Sequence, residues 1–208
     1  MAHGDDKGLN LPPKLAPYQV VIIPITPNED SSSMILESAQ KIVNEIDGDF
    51  RVHIDDRDNI SPGFKFNEWE LKGVPLRLEI GPRDIENNSV VFSRRDGVEG
   101  KFNVPISEIK NKISENLDDI HNKLLESSKI FREENTKHVE NYEALIAALN
   151  SEPGFVTCYW DENSSDEDRV KQETKATLRC YVLDNDKTGS AVNNENAQGK
   201  LAIFSKAY

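Results

Sequence analysis

Residues 50–84, FRVHIDDRDNISPGFKFNEWELKGVPLRLEIGPRD, decide the fold, because they hold two strand-like runs with a short helix between them. The spacing predicts a strand over 50–54 and a helix over roughly 63–72, stopped by Gly73, a residue suited to the left-handed turn that ends helices. Leu76, Leu78 and Ile80 then alternate with Arg77 and Glu79, the pattern of a strand with one wet face. The apolar positions account for folding. They do not account for the close sequence grouping of Arg57, Lys65, Phe66, Glu70, Arg77 and Arg83. On a strand–helix–strand frame, such a group suits a polar, planar ligand, and RNA bases are the leading candidates.

Upstream, YQVVIIPI at 18–25 is a nearly continuous apolar run, expected of a strand buried on both faces. Polar residues 26–33 can cap a helix at about 31–33, in which Ile35, Leu36, Ala39, Ile42, Val43 and Ile46 form one apolar stripe. Asp47-Gly48-Asp49 ends it. Residues 1–17 are polar, contain three prolines and lack periodicity, so they read as a linker in extended or polyproline-like form. His3 and Asp5 mean little within such a linker. Downstream, 90–92 and 101–103 read as further strands joined across a charged turn. This order implies an α/β sheet with right-handed crossovers over 16–106, preceded by a linker at 1–15.

From residue 107, Ile109, Ile113, Leu117, Ile120 and Leu124 keep helical spacing, and 142–149 either continues that helix or forms a second. Residues 107–150 are thus a helical connector, which Pro153-Gly154 breaks. A small α+β domain at 151–208 follows, with strands at 155–159, 177–182 and 201–205 and a helix near 167–173. The stretch 184–199, rich in Asn, Asp and Gly, reads as a mobile loop.

The chain of 208 residues is 37% hydrophobic and 30% charged, long enough for one large domain or two smaller ones. No apolar run approaches the roughly 20 residues that span a bilayer, and no signal peptide is visible. Two cysteines, Cys158 and Cys180, fit a reducing cytoplasm rather than a disulfide framework. They lie 22 positions apart without partner cysteines, which is not a zinc pattern. A net charge of −12 is awkward for a nucleic-acid binder. The charge is segregated, however: acidity concentrates at 115–143 and 161–173, while 51–101 carries nine arginines and lysines. His53 beside Asp55 and Asp56 would suit proton transfer, but no nucleophile or glycine-rich phosphate loop accompanies it.

Five segments, MAHGDDKGLNLPPKLAPYQVVIIPI (1–25), DDRD (55–58), PGFKFNEWELKGVPLRLEIGPRD (62–84), KQETKATLRC (171–180) and FSKAY (204–208), resemble the prolyl-tRNA synthetases of archaeal–eukaryotic-like type. The resemblance spans nearly the whole chain, with its motifs in the family's order. It implies a mixed-sheet, class II anticodon-binding α/β domain, a long helical segment and a small α+β C-terminal domain. It also implies an upstream catalytic core that uses ATP with Mg, so this chain alone holds no catalytic residue. The implied partners are tRNA(Pro) and that catalytic domain, in a cytoplasmic homodimer; neither DNA nor membrane is expected.

Proline codons begin CC, so every matching anticodon carries two guanines. An arginine suits guanine's O6/N7 edge and a carboxylate its N1–H/N2–H₂ edge, at roughly 1–3 kcal/mol of discrimination per good pair. The positions matching Phe66, Glu70, Arg77 and Arg83 belong to the family's anticodon-contacting surface. Phe66 can stack on an unpaired base. Lys65, Lys72, Arg94, Arg95 and Lys101 are candidate phosphate contacts. The plainer alternative is that Glu70 and Arg77 pair with one another and Phe66 joins Trp69 and Leu71 in a core. Many relatives hold zinc with four cysteines, but the matching positions here are Asp161, Asp166, Gly189 and Val192, so no zinc is expected. In the family the chain end, here Tyr208, reaches back to the catalytic domain. Two other readings stay open: a free-standing accessory protein that binds a protein partner through its acidic helices, and a small-molecule enzyme without an evident nucleophile.

Overall fold

The computed structural model describes residues 3–27, 29–98, 100–151, 153–162, 164–183 and 187–207. It divides into two compact units, Met1–Ser127 and Ser128–Tyr208, each with its own apolar core. Tyr208 lies outside the described residues. No helix among them is long and apolar enough to cross a membrane.

The first unit opens with a hairpin where the composition suggests an irregular linker. Strands β1 (Gly4–Asp5) and β2 (Gly8–Leu9) pair antiparallel around Asp6 and Lys7. The following prolines are pinned as well: the Arg51 guanidinium donates to the carbonyls of Ala16 (2.9 Å) and Pro13 (2.9 Å). Carbonyls held by an arginine and a hairpin held by an ion pair replace the free polyproline form expected here.

The main sheet is built on β3 (Val20–Pro24), all five residues of which are buried. Parallel neighbours β4 (Val52–Ile54) and β5 (Leu76–Ile80) flank it. Strands β6 (Ser89–Arg94) and β7 (Phe102–Pro105) continue it antiparallel, giving the order β4-β3-β5-β6-β7. Parallel pairing demands crossover helices. Helix α1 (Glu29–Ile46) connects β3 to β4 and buries Ile35, Ala39, Ile42 and Ile46 against Val20 and Ile22. It starts at Glu29, ahead of the serines at 31–33. Helix α2 (Pro62–Leu71) connects β4 to β5 over the other face, with Trp69 against Val21 and Ile23. Ser61 caps it by accepting from the Phe64 amide (3.4 Å), and Pro62 stands where a missing N–H costs nothing. Short helix α3 (Pro82–Glu86) turns the chain from β5 to β6.

The two faces of this sheet are not equally covered. Leu76, Leu78 and Ile80 of β5, with Val90, Phe92 and Val104 of β6 and β7, share a core with α1 and with Ile109, Ile113 and Leu117 of α4 (Ile109–Glu134). Each such side chain, fully buried, is worth roughly 1.5–3 kcal/mol. Their alternates, Arg77 and Glu79 on β5, Val91 and Ser93 on β6 and Asn103 on β7, face the α2 side. There α2 packs Trp69 and Phe66 against Val21 and Ile23 of β3 and against Val74, while Arg77, Val91 and Ser93 stay partly exposed and Asn103 exposed. This part of the face is only partly covered.

The second unit begins with β8 (Thr136–His138), an edge strand parallel to β9 (Phe155–Trp160) and too polar for its periodicity to register. Helix α5 (Tyr142–Ser151) is a separate helix. Helix α6 (Ser164–Thr174) and strands β10 (Ala176–Tyr181), β11 (Thr188–Ala191) and β12 (Asn194–Lys206) complete it. The expected loop at 184–199 is largely a β11–β12 hairpin. Its glycines and asparagines serve the turn and the close strand contacts. The core stacks Trp160 on Phe204, ring centroids 4.8 Å apart, among Leu145, Leu149, Val156 and Val170.

Candidate nucleic-acid interface

The site grows from Asp55, just past the end of β4 and 1% exposed. Its carboxylate accepts from Arg57 Nε (2.8 Å), Arg57 Nη2 (2.7 Å) and Trp69 Nε1 (2.8 Å), and Lys65 Nζ donates to its backbone carbonyl (3.0 Å). Burial opposes its ionisation. The hydrogen bonds from Arg57 and Trp69 and the nearby Lys65 and Arg57 charges outweigh that and hold the carboxyl well below the usual carboxylate range. Arg57 also reaches Glu68 (2.7 Å), which takes Lys72 (2.7 Å) one turn on. This network locks α2 to the strand ends and fixes the direction in which Phe66 and Glu70 project.

On the partly covered part of the sheet, Arg77 donates from Nε to Glu79 (3.1 Å) and from Nη2 to Ser93 (3.0 Å), with its guanidinium carbon 4.4 Å from the Phe66 ring centre. Lys101 bonds the other oxygen of Glu79 (2.7 Å) and lies 4.7 Å from the same ring. Glu79 is buried, and two cations neutralise it. The guanidinium plane is therefore set by three partners before any ligand arrives, which is the arrangement that makes a bidentate donor selective.

Glu70 does not pair with Arg77, as the plainer alternative would have it. Its Oε1 lies 3.4 Å from Lys7 Nζ, and its side chain is 29% exposed. Glu70 and Arg77 instead line one small cleft, of about 40 Å³, together with Trp69, Val74 and Ser93. A single water needs about 10–15 Å³ of such space, so the cleft has room for only a few. The cleft therefore offers an edge of donors and acceptors at its mouth rather than a chamber for a whole base. Phe66 is half-buried beside it: one side packs against the Val21, Ile23, Trp69 and Val74 cluster, as the plainer alternative expects, and its ring also meets Arg77, whereas Leu71 is 61% exposed and outside that core. Arg83 is exposed on α3 and does not line the cleft.

Of the five candidate phosphate contacts, the structure seals three. Lys65 is 4% exposed and serves Asp55. Arg94 is held by Asp96 and Asp119, and Arg95 by Asp5; both side chains are 2% exposed. A cation whose own side chain is buried to this degree has no face left for a phosphate. Lys72 and Lys101 remain about half exposed. Asp5, Lys7, Glu79 and Ser93 were missed in the sequence. The signal for the first two was Asp-Asp-Lys-Gly, whose polar residues and glycine suit a turn.

In the second unit, Asp161 and Asp166 are occupied by amides. Asn193 Oδ1 accepts from the Asp161 amide (2.9 Å), and its Nδ2 donates to the Asp161 carbonyl (3.0 Å) and to Asp166 Oδ2 (3.0 Å). Asn194 donates to Asp161 Oδ2 (3.1 Å). Gly189 and Val192 offer no donor atom in their side chains. Two carboxylates already accepting from amides, without a thiolate, do not fit the four-sulfur zinc centre of the resembling proteins.

A sheet built on parallel strands, with a charged and aromatic cleft beside its second crossover helix, defines a class, and comparison with known proteins agrees: residues 19–116 match the family described as anticodon binding domain. Residues 142–208 match the family described as prolyl-tRNA synthetase, C-terminal. Along its whole length the chain is 45% identical to a proline–tRNA ligase of Roseiflexus sp. (strain RS-1), 43% identical to one of Natranaerobius thermophilus and 40% identical to proline–tRNA ligase 2 of Clostridioides difficile. The chain belongs to the prolyl-tRNA synthetase family, as its anticodon-binding and C-terminal region. It spans about 44% of the length of the curated relatives it matches.

Proposed function

We propose that this chain recognises the anticodon of tRNA(Pro) for a proline–tRNA ligase. In that enzyme, proline, ATP and tRNA give prolyl-tRNA, AMP and pyrophosphate in the cytoplasm, on a homodimer whose catalytic core lies outside these 208 residues. ATP with Mg is bound by that core, and the second unit here holds no zinc. One observation carries the reading: Glu70 and Arg77 come from different elements yet line the same cleft, beside Phe66. In this reading Glu70 accepts from the pairing edge of one guanine, Arg77 donates to the acceptor edge of another, and Phe66 stacks on an unpaired base. Arg83, Lys72 and Lys101 approach the backbone.

The test is titration of the chain with a fluorescent proline anticodon stem–loop and with versions carrying adenine in place of each central guanine. The native chain is expected to prefer the cognate loop by roughly 1–3 kcal/mol per guanine. Glu70→Gln and Arg77→Lys should each relax the preference at one guanine only. Equal affinity for cognate and substituted loops in the native chain would overturn the assignment.

A further inference from the structure

Glu70 is held by the N-terminal hairpin in three ways. Asp5 clamps Arg95 with both oxygens, Oδ2 to Nη1 (2.8 Å) and Oδ1 to Nη2 (2.5 Å), and the same Arg95 donates Nε to the backbone carbonyl of Glu70 (2.9 Å). Lys7, at the hairpin tip, puts its ammonium 3.4 Å from Glu70 Oε1. The hairpin backbone also seats directly on the end of α2. A Cβ on Gly8 (φ +124°) would stand 2.6 Å from Leu71 Cα, and one on Gly73 (φ +75°) would stand 2.7 Å from Leu9. Only glycine meets both the conformation and the approach.

We propose that hairpin residues 3–10 are the positioning element of the guanine-reading carboxylate, with Lys7 orienting the Glu70 side chain and Asp5, through Arg95, fixing its main chain. The inference rests on the reading of Glu70 given above. A free glutamate side chain loses up to about 2 kcal/mol of rotamer entropy when it is fixed. If it is fixed before RNA arrives, the binding step is spared that cost. Each carboxylate oxygen has two acceptor sites, so Lys7 beside Oε1 leaves room for both guanine donors. Neither Asp5 nor Lys7 needs to touch RNA in this role.

The experiment measures the ratio of affinities for the proline anticodon stem–loop and for the loop whose Glu70-facing guanine is replaced by adenine. Damage to the fold lowers both affinities and leaves the ratio alone; loss of positioning lowers the ratio. Lys7→Gln and Asp5→Asn should each reduce it about fivefold, the upper reach of an exposed ion pair, while Asp5→Glu keeps it. If Glu70→Gln collapses the ratio but Lys7→Gln and Asp5→Asn do not move it, the positioning role is overturned and the reading of Glu70 stands. If Glu70→Gln itself leaves the ratio unchanged, the guanine contact falls, and the hairpin's role falls with it.

Discussion

Cys158 and Cys180 show how far burial separates two copies of one residue. Cys158 is fully buried on β9, and burial pushes its thiol up to about 12, whereas Cys180 is exposed on β10. Thiolate, not thiol, reacts with alkylating agents. Iodoacetamide at neutral pH is therefore expected to label one cysteine per native chain, Cys180, and both in denaturant, as peptide mass mapping would show. The same contrast runs through the cations. Lys65 and Lys101 look alike in sequence, yet one is buried on Asp55 and the other half exposed over Phe66. Residue type gave the cluster around Phe66, Glu70 and Arg77. It did not give the division between cations that hold the fold and cations that face a ligand. That division depends on Asp5, which is 90 positions from Arg95, and on Asp119 of α4.

At the scale of elements, α1 and β5 were legible from the period of their apolar positions, and Val20–Pro24 from a short, β-branched apolar run bounded by polar residues and proline. The end of β12 was read as a strand at 201–205, but the hairpin β1–β2, strand β8, and β11 with residues 194–200 were not legible. They bury little apolar surface and are held by backbone bonds and single ion pairs, which leave no periodic trace. The hairpin gives a pH prediction. The Arg95 hydrogen bond, partly opposed by desolvation, lowers Asp5 from 3.8 to about 2. A carboxyl depressed in the folded state contributes stability that is present above its unfolded value and lost as pH falls through the folded one. Docking of residues 3–10 should thus persist at pH 4 and fail towards pH 2, read from the amide NMR shifts of Gly4–Leu9. In the second unit, Asn193→Ala strips three hydrogen bonds from the turn between β9 and α6. It should lower that unit's stability by about 1–3 kcal/mol in urea melts, and EDTA should change neither chain's transition.

For the molecule as a whole, a net charge of −12 and an RNA partner are reconciled by scale, since binding depends on the local field. With Lys65, Arg94 and Arg95 sealed, Lys72, Lys101 and Arg83 are the cations left for phosphates. Single-strand counterion release predicts a log–log salt slope of about −2. A slope near −6, as all nine basic residues of 51–101 would give, would contradict the sealed cations. Titration of the stem–loop between low and moderate potassium chloride measures it. The second unit carries a different kind of dependence. Strands β10 and β11 pair only with β12 among the described residues, and β9 needs it for one of its two sides. Since β12 follows all of them in the chain, a ribosome will have finished β9, β10 and β11 before any of them can acquire that shared neighbour. This half of the protein is expected to mature late in synthesis, and a nonsense codon at the start of 194–206 would leave chaperones with β10 and β11 unpaired and β9 held by β8 alone.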